Sequence, residues 1–146
     1  MIDFKKYHIS FAGRQIVNMR LEVTKIEYEK DMIIITGATE IGTVKGVWKY
    51  REQPVADKGY FVELSYMKFE KKFAQSSTHI LNTLMCEDVI TFNGRVEDID
   101  EDVYYIRFAT DWLDMVEISD SCGRINKGDF ASFSVRYDQI WIYPYD

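Results

Sequence analysis

From Val17 onward apolar and polar residues alternate: Val17, Met19, Leu21 and Val23 are separated by Asn18, Arg20 and Glu22, and Thr24 follows. A period of two puts every second side chain on one face of an extended chain, so this stretch predicts a strand with one buried face. Ile26 and Tyr28 then continue the alternation one position out of step. A slip of that kind needs an extra residue in the strand, and a bulge or bend near Thr24 and Lys25 is expected to turn the apolar face. The slip recurs downstream, where Ile90, Phe92 and Gly94 lead to Val96 and the next apolar residue is Ile99, three positions on.

The recurrence suggests an internal repeat. Asp31 opens the run Met32-Ile33-Ile34-Ile35, and Asp102 opens Val103-Tyr104-Tyr105-Ile106. Further on, Lys58-Gly59 precedes an apolar strand over 60–66, and Lys127-Gly128 precedes one over 129–135. The offsets between the halves are 73, 71 and 69 residues, which two small deletions would explain. Two unrelated stretches of ordinary strand pattern are the alternative. Between them, Ile80, Leu81, Leu84 and Met85 fall at i, i+1, i+4 and i+5 after Ser76, Ser77 and Thr78, three N-cap candidates. That spacing predicts a helix within Phe69 to Asp88. Ile2 to Phe11 fits a weak amphipathic segment or an edge strand.

A kinked first strand, two more apolar strands, a connection and two closing strands are the order of a small five-stranded Greek-key barrel. The expected fold is therefore mainly β, as one such barrel or a tandem pair with one helix between, and a single β-sandwich is the alternative. Residues 1–75 form the β-rich N-terminal half and residues 76–146 the helix with the second β-barrel half, unless the two make one continuous domain. In the second half, Gly128-Asp129-Phe130-Ala131-Ser132-Phe133-Ser134-Val135, a break at Asp138, and Ile140-Trp141-Ile142-Tyr143-Pro144 resemble the closing strands of OB-like domains, including the type appended to transporter ATPases. The resemblance covers roughly 55 residues. It implies a face that binds an oligonucleotide, an oligosaccharide or a small anion.

Composition narrows the function classes. Hydrophobic residues make up 47% of the 146, which excludes disorder, and no run is long and uncharged enough to span a bilayer. A soluble, cytosolic protein is expected. Cys86 and Cys122 stand 36 residues apart with no second pair beside them, so they read as free, reduced, mostly buried thiols. Charge is distributed unevenly: residues 1–75 carry a net +3 and residues 76–146 a net −9, giving −6 for the chain. Such asymmetry can steer a charged partner.

Candidate chemistry is sparse. The only histidines are His8 and His79, and a His79–Cys86 dyad would need to bridge two helical turns. No Gly-x-Ser-x-Gly elbow, phosphate loop or dinucleotide fingerprint occurs, so no cofactor is expected, and Gly37, Gly42 and Gly46 read as turns. The densest ionisable cluster is Glu97, Asp98, Asp100, Glu101 and Asp102, which reads as a solvated hairpin tip. A calcium cage would want a turn glycine and a distal bidentate Glu, and Ile99 interrupts the run. Asp111 and Asp114 flank Trp112 nearby.

Charge asymmetry without a catalytic signature points to a non-enzymatic protein. Its acidic C-terminal surface, formed by Glu97, Asp98, Asp100, Glu101, Asp102, Asp111, Trp112 and Asp114, is expected to engage a basic protein in the manner of an inhibitor or immunity protein, with Trp112, Tyr104 or Tyr105 as anchors. The alternative is a single-stranded nucleic-acid binder using Lys45, Trp48, Lys49, Tyr50 and Arg51, with Trp48 and Tyr50 as stacking platforms. A structural part of a phage or secretion assembly is a third possibility. Enzymatic carboxylate chemistry ranks last.

Overall fold

A computed structural model describes residues 10–11, 14–15, 19–118 and 124–145. Strands dominate it: β1 (Ser10–Phe11), β2 (Arg14–Gln15), β3 (Met19–Glu29), β4 (Met32–Thr39), β5 (Gly42–Trp48), β6 (Gly59–Tyr66), β7 (Lys71–Gln75), β8 (Asn82–Cys86), β9 (Val89–Asp100), β10 (Val103–Ala109), β11 (Trp112–Glu117), β12 (Phe130–Arg136) and β13 (Ile140–Pro144), with a short 3-10 turn, η1 (Tyr137–Gln139), before the last. His8, Cys122 and all but the end of Ile2 to Phe11 lie outside the described residues.

The alternation in β3 works as expected. Met19, Leu21 and Val23 are buried, while Arg20, Glu22 and Thr24 face out. Pairing of β3 with β4 then jumps from Val23↔Gly37 to Lys25↔Thr36, leaving Thr24 as the extra residue, and its hydroxyl donates to the Thr36 carbonyl at 3.1 Å. The second slip is also a bulge: Asp98↔Tyr105 is followed by Val96↔Ile106, so Glu97 is the residue without an opposite number. Each bulge re-aims its strand and lets it serve two partners.

β3, β4, β5 and β6 form a closed barrel with β13, in the order β13-β5-β4-β3-β6. β13 runs parallel to β5 and antiparallel to β6. The remaining strands make a second sheet, β11-β10-β9-β12-β7, with β8 on the first half of β9. The pairings β9–β10, β10–β11 and β9–β12 repeat β3–β4, β4–β5 and β3–β6 with the same directions. Backbone bonds repeat as well. Val23 bonds Lys58 O and Asp57 N, and Val96 bonds Asp129 O and Gly128 N. Asp57 (φ 66°) and Gly128 (φ 95°) thus take the same left-handed corner. The Lys-Gly match is therefore two residues out of structural register, because Glu22↔Gly59 corresponds to Arg95↔Phe130.

The strands cross the 75/76 division in both directions. β13, from the second half, closes the first barrel, and β7, from the first half, lies against β12 in the second sheet. The closing strands of the OB-like resemblance are accordingly separated, Phe130–Arg136 in the second sheet and Ile140–Pro144 in the first barrel. One hydrophobic core runs through both, from Leu21, Ile35, Leu64 and Ile142 to Phe92, Phe108, Phe133 and Val135.

The expected helix within Phe69 to Asp88 is not formed; the segment holds β7 and β8. A two-residue turn at Glu87 (φ 56°) and Asp88 folds β8 back on β9, and five ladder pairs from Asn82↔Asn93 to Cys86↔Val89 replace helical bonds. The helical stripe is inverted: Ile80, Leu84 and Met85 are exposed, and Thr83 between them is buried and donates to Thr43 O at 3.1 Å. Ladder pairing outweighed a four-residue apolar pattern that strand geometry also accommodates. Cys86, expected to be buried, is exposed at the end of β8.

Gly37 and Gly46 sit within strands, not in turns, where core side chains approach the backbone. A Cβ on Gly46 would stand 2.8 Å from the Ile140 carbonyl oxygen, across the seam where β13 closes the barrel. Replacing Gly46 by Ala is expected to cost about 1–3 kcal/mol by overpacking. A urea midpoint equal to that of the parent protein would show that the seam is looser than described.

Candidate functional site

The acidic residues singled out from the sequence do not form one surface. Asp100, Glu101 and Asp102 are exposed at the β9–β10 hairpin tip, with Asp98 half-buried beside them and Glu117 next to the tip through the Val103↔Glu117 pair. Asp111 lies in the turn at the other end of β10. Seven residues of strand at ~3.3 Å each put these two groups about 20 Å apart.

Three of the proposed partner-binding residues have structural duties instead. Trp112 is 3% exposed and its ring packs on Phe108 at 4.8 Å. Asp114 is also 3% exposed; its carboxylate accepts from the Tyr66 hydroxyl at 3.1 Å and from the Met115 amide at 2.9 Å. This bond joins the first barrel to the second sheet. Burial, together with the adjacent Asp114 charge, holds the Tyr66 hydroxyl well above its ordinary pKa. Glu97, the bulge residue, is clamped between Arg107 at 2.8 Å and Arg95 at 3.1 Å, so its charge is already compensated. Among the anchors, Tyr105 is fully buried and Tyr104 packs on Phe73. A bulky aromatic between polar neighbours can fill a core or line a surface, and here the core takes them.

The basic, aromatic segment is similarly divided. Trp48 is 5% exposed and donates from its indole N–H to Glu52 O at 2.8 Å, so it cannot serve as a stacking platform. Lys45 bridges Glu27 at 3.7 Å and lies over the Tyr137 ring. Lys49 sits 3.9 Å over Trp141 and Arg51 sits 5.1 Å over Tyr50, covering ring faces that a base would need. His79 stacks on Phe130, and the extended β8 strand between it and Cys86 takes the pair out of hydrogen-bond reach.

What the fold does assemble is a cleft of about 510 Å³ where the first barrel meets the β10–β11 turn. β3 contributes Met19, Arg20 and Glu22, because the alternation turns Arg20 and Glu22 outward. The β4–β5 turn adds Glu40, and β6 adds Phe61, which is 60% exposed. From the second sheet come Asp111 and an edge of Trp112. Among the described residues, no ion pair or side-chain hydrogen bond engages Glu22, Glu40 or Asp111. Three uncompensated carboxylates against one guanidinium make the cleft net negative. Asp111 was recognisable from sequence; Glu22 and Glu40 were not, since only the packing of the β4–β5 turn beside the β10–β11 turn brings them together.

Among the described residues no three His, Cys, Asp or Glu side chains converge in a geometry that would hold a metal ion, and no helix is long and apolar enough to cross a membrane. No protein-family model, curated protein or solved structure matches the chain.

Proposed function

We propose that the protein is a non-enzymatic binding protein that engages a basic protein through the carboxylates of its acidic half, in the manner of an inhibitor or immunity protein. The observation that carries this reading is the set of solvent-facing carboxylates at the hairpin tip and β10–β11 turn, Asp100, Glu101, Asp102 and Asp111, on a half with a net charge of −9. Uncompensated surface charge of one sign raises encounter rates with an oppositely charged partner and is screened by salt. The same reading takes both units as OB-like. In support, β5 and β13 are parallel in a five-stranded closed barrel, and β9 to β12 repeat its first four strands.

The tip is tested kinetically. Replacing Asp98, Asp100, Glu101 and Asp102 by Asn or Gln is expected to slow association with an immobilised arginine-rich peptide about ten-fold at low ionic strength. The difference should shrink at roughly 0.5 M salt, where the Debye length falls to a few ångströms. Equal on-rates at low salt would remove the tip from the interface.

A further inference from the structure

We infer that the cleft between the first barrel and the β10–β11 turn is the docking groove for a protruding segment of a basic protein, one that presents an arginine or lysine beside an aromatic or aliphatic side chain. The inference rests on the basic-partner reading and assigns its site. Charge complementarity carries it: Glu22, Glu40 and Asp111 come from three separate elements and line one concavity, while only Arg20 opposes them. Carboxylates scattered over a convex surface would steer a partner without holding it. Lining one cleft, they give it a common negative field, and partial removal of water strengthens the attraction each exerts on a cation that enters.

The apolar part of the groove defines the second requirement. Phe61 is 60% exposed on β6, although ring burial is strongly favourable. Ala38 and Ala109 are small and leave the groove open beside it. A volume of about 510 Å³ accommodates two side chains, not a folded domain. The fit is therefore a loop or tail with adjacent cationic and apolar residues, the cation toward Glu40 and Asp111 and the apolar group on Phe61. Arg20, directly across from Phe61 in the β3–β6 pairing, would attract an acidic residue flanking the cationic-apolar pair and repel a second basic one, and so adds selectivity for register.

The test uses the full chain and a blocked Gly-Gly-Arg-Phe-Gly-Gly peptide, with the Glu-Phe peptide as control, titrated by calorimetry at low ionic strength. The Arg-Phe peptide is expected to bind saturably and the Glu-Phe peptide not at all. The triple variant Glu22→Gln, Glu40→Gln, Asp111→Asn should lose at least about ten-fold in affinity, and Phe61→Ala about five-fold. Toward this singly charged peptide the four-residue tip variant should lose affinity only through a slower on-rate, and by less than the triple variant does. All these positions except the half-buried Asp98 are at the surface, and unchanged circular dichroism and melting temperature confirm that each variant is folded. Loss of binding in the tip variant alone would overturn the groove and leave the basic-partner reading standing. Equal binding of both peptides, or no binding of either, would overturn both.

Discussion

Asp114→Ala is expected to destabilise the protein by about 2–3 kcal/mol, because it removes a charged acceptor from a buried site and strands the Tyr66 hydroxyl. Tyr66→Phe should cost somewhat less, since it leaves the Asp114 carboxylate with the Met115 amide still in place. The two changes are expected to couple by about 1 kcal/mol or more in a double-mutant cycle measured by urea unfolding. Purely additive effects would mean that the pair does not join the two units. Alkaline titration provides an independent reading. Folding raises the Tyr66 pKa, so the folded state holds its proton more firmly than the unfolded chain does. The resulting stability is complete below about pH 10 and is lost as pH rises beyond it. Tyr105 and Tyr137, both pushed up to about 12, act with the same sign, Tyr137 chiefly through its bond to Glu29. Tyr66→Phe should therefore reduce the alkaline loss without abolishing it.

The larger effect is expected at Phe133. Its ring lies 5.1 Å from those of Tyr66 and Phe92, 5.2 Å from Phe69 and 5.7 Å from Phe73, so it touches both units from β12. Truncation to Ala leaves a cavity among rings fixed by two sheets that cannot readily collapse, and a cost of about 3–5 kcal/mol follows. Phe133→Leu, which keeps most of the volume, should cost far less. Because one core runs through both units, unfolding of Phe133→Ala should remain a single transition seen alike by tryptophan fluorescence and far-ultraviolet circular dichroism. Two separated transitions would show the barrel and the second sheet melting independently.

Much of the fold was legible in local pattern. Both phase slips, at Thr24 and near Glu97, mark bulges, since a period of two cannot change phase without an extra residue. The mainly β class and the repeated strand order follow from the same alternation. What local pattern could not convey was which strand completes which sheet. β13 has the apolar alternation of Ile140 and Ile142 wherever it docks, and its place beside β5 depends on a partner more than 90 residues earlier in the chain. The helix expected around Ile80 to Met85 failed for a related reason: four apolar residues fit either geometry, and pairing with β9 decided between them.

The site was less legible than the fold. Asp111 and Asp114 look alike in sequence, on either side of the Trp112-Leu113 pair, yet Asp114 is buried under Tyr66 and Asp111 lines an open cleft. Their fates differ because successive positions of a strand point to opposite faces and a turn interrupts the alternation. Glu22 and Glu40 carry no local signal at all; they matter only because tertiary packing sets them beside Asp111.

The most direct test of the acidic-groove assignment is an amide chemical-shift map of the ¹⁵N-labelled protein titrated with the Arg-Phe peptide at low and then moderate salt. The expected result is a saturable, salt-sensitive set of shifts confined to Arg20–Glu22, Ala38–Ile41, Phe61 and Ala109–Trp112. Shifts confined to Asp98–Asp102, or spread over the basic segment Lys45–Arg51, would contradict it.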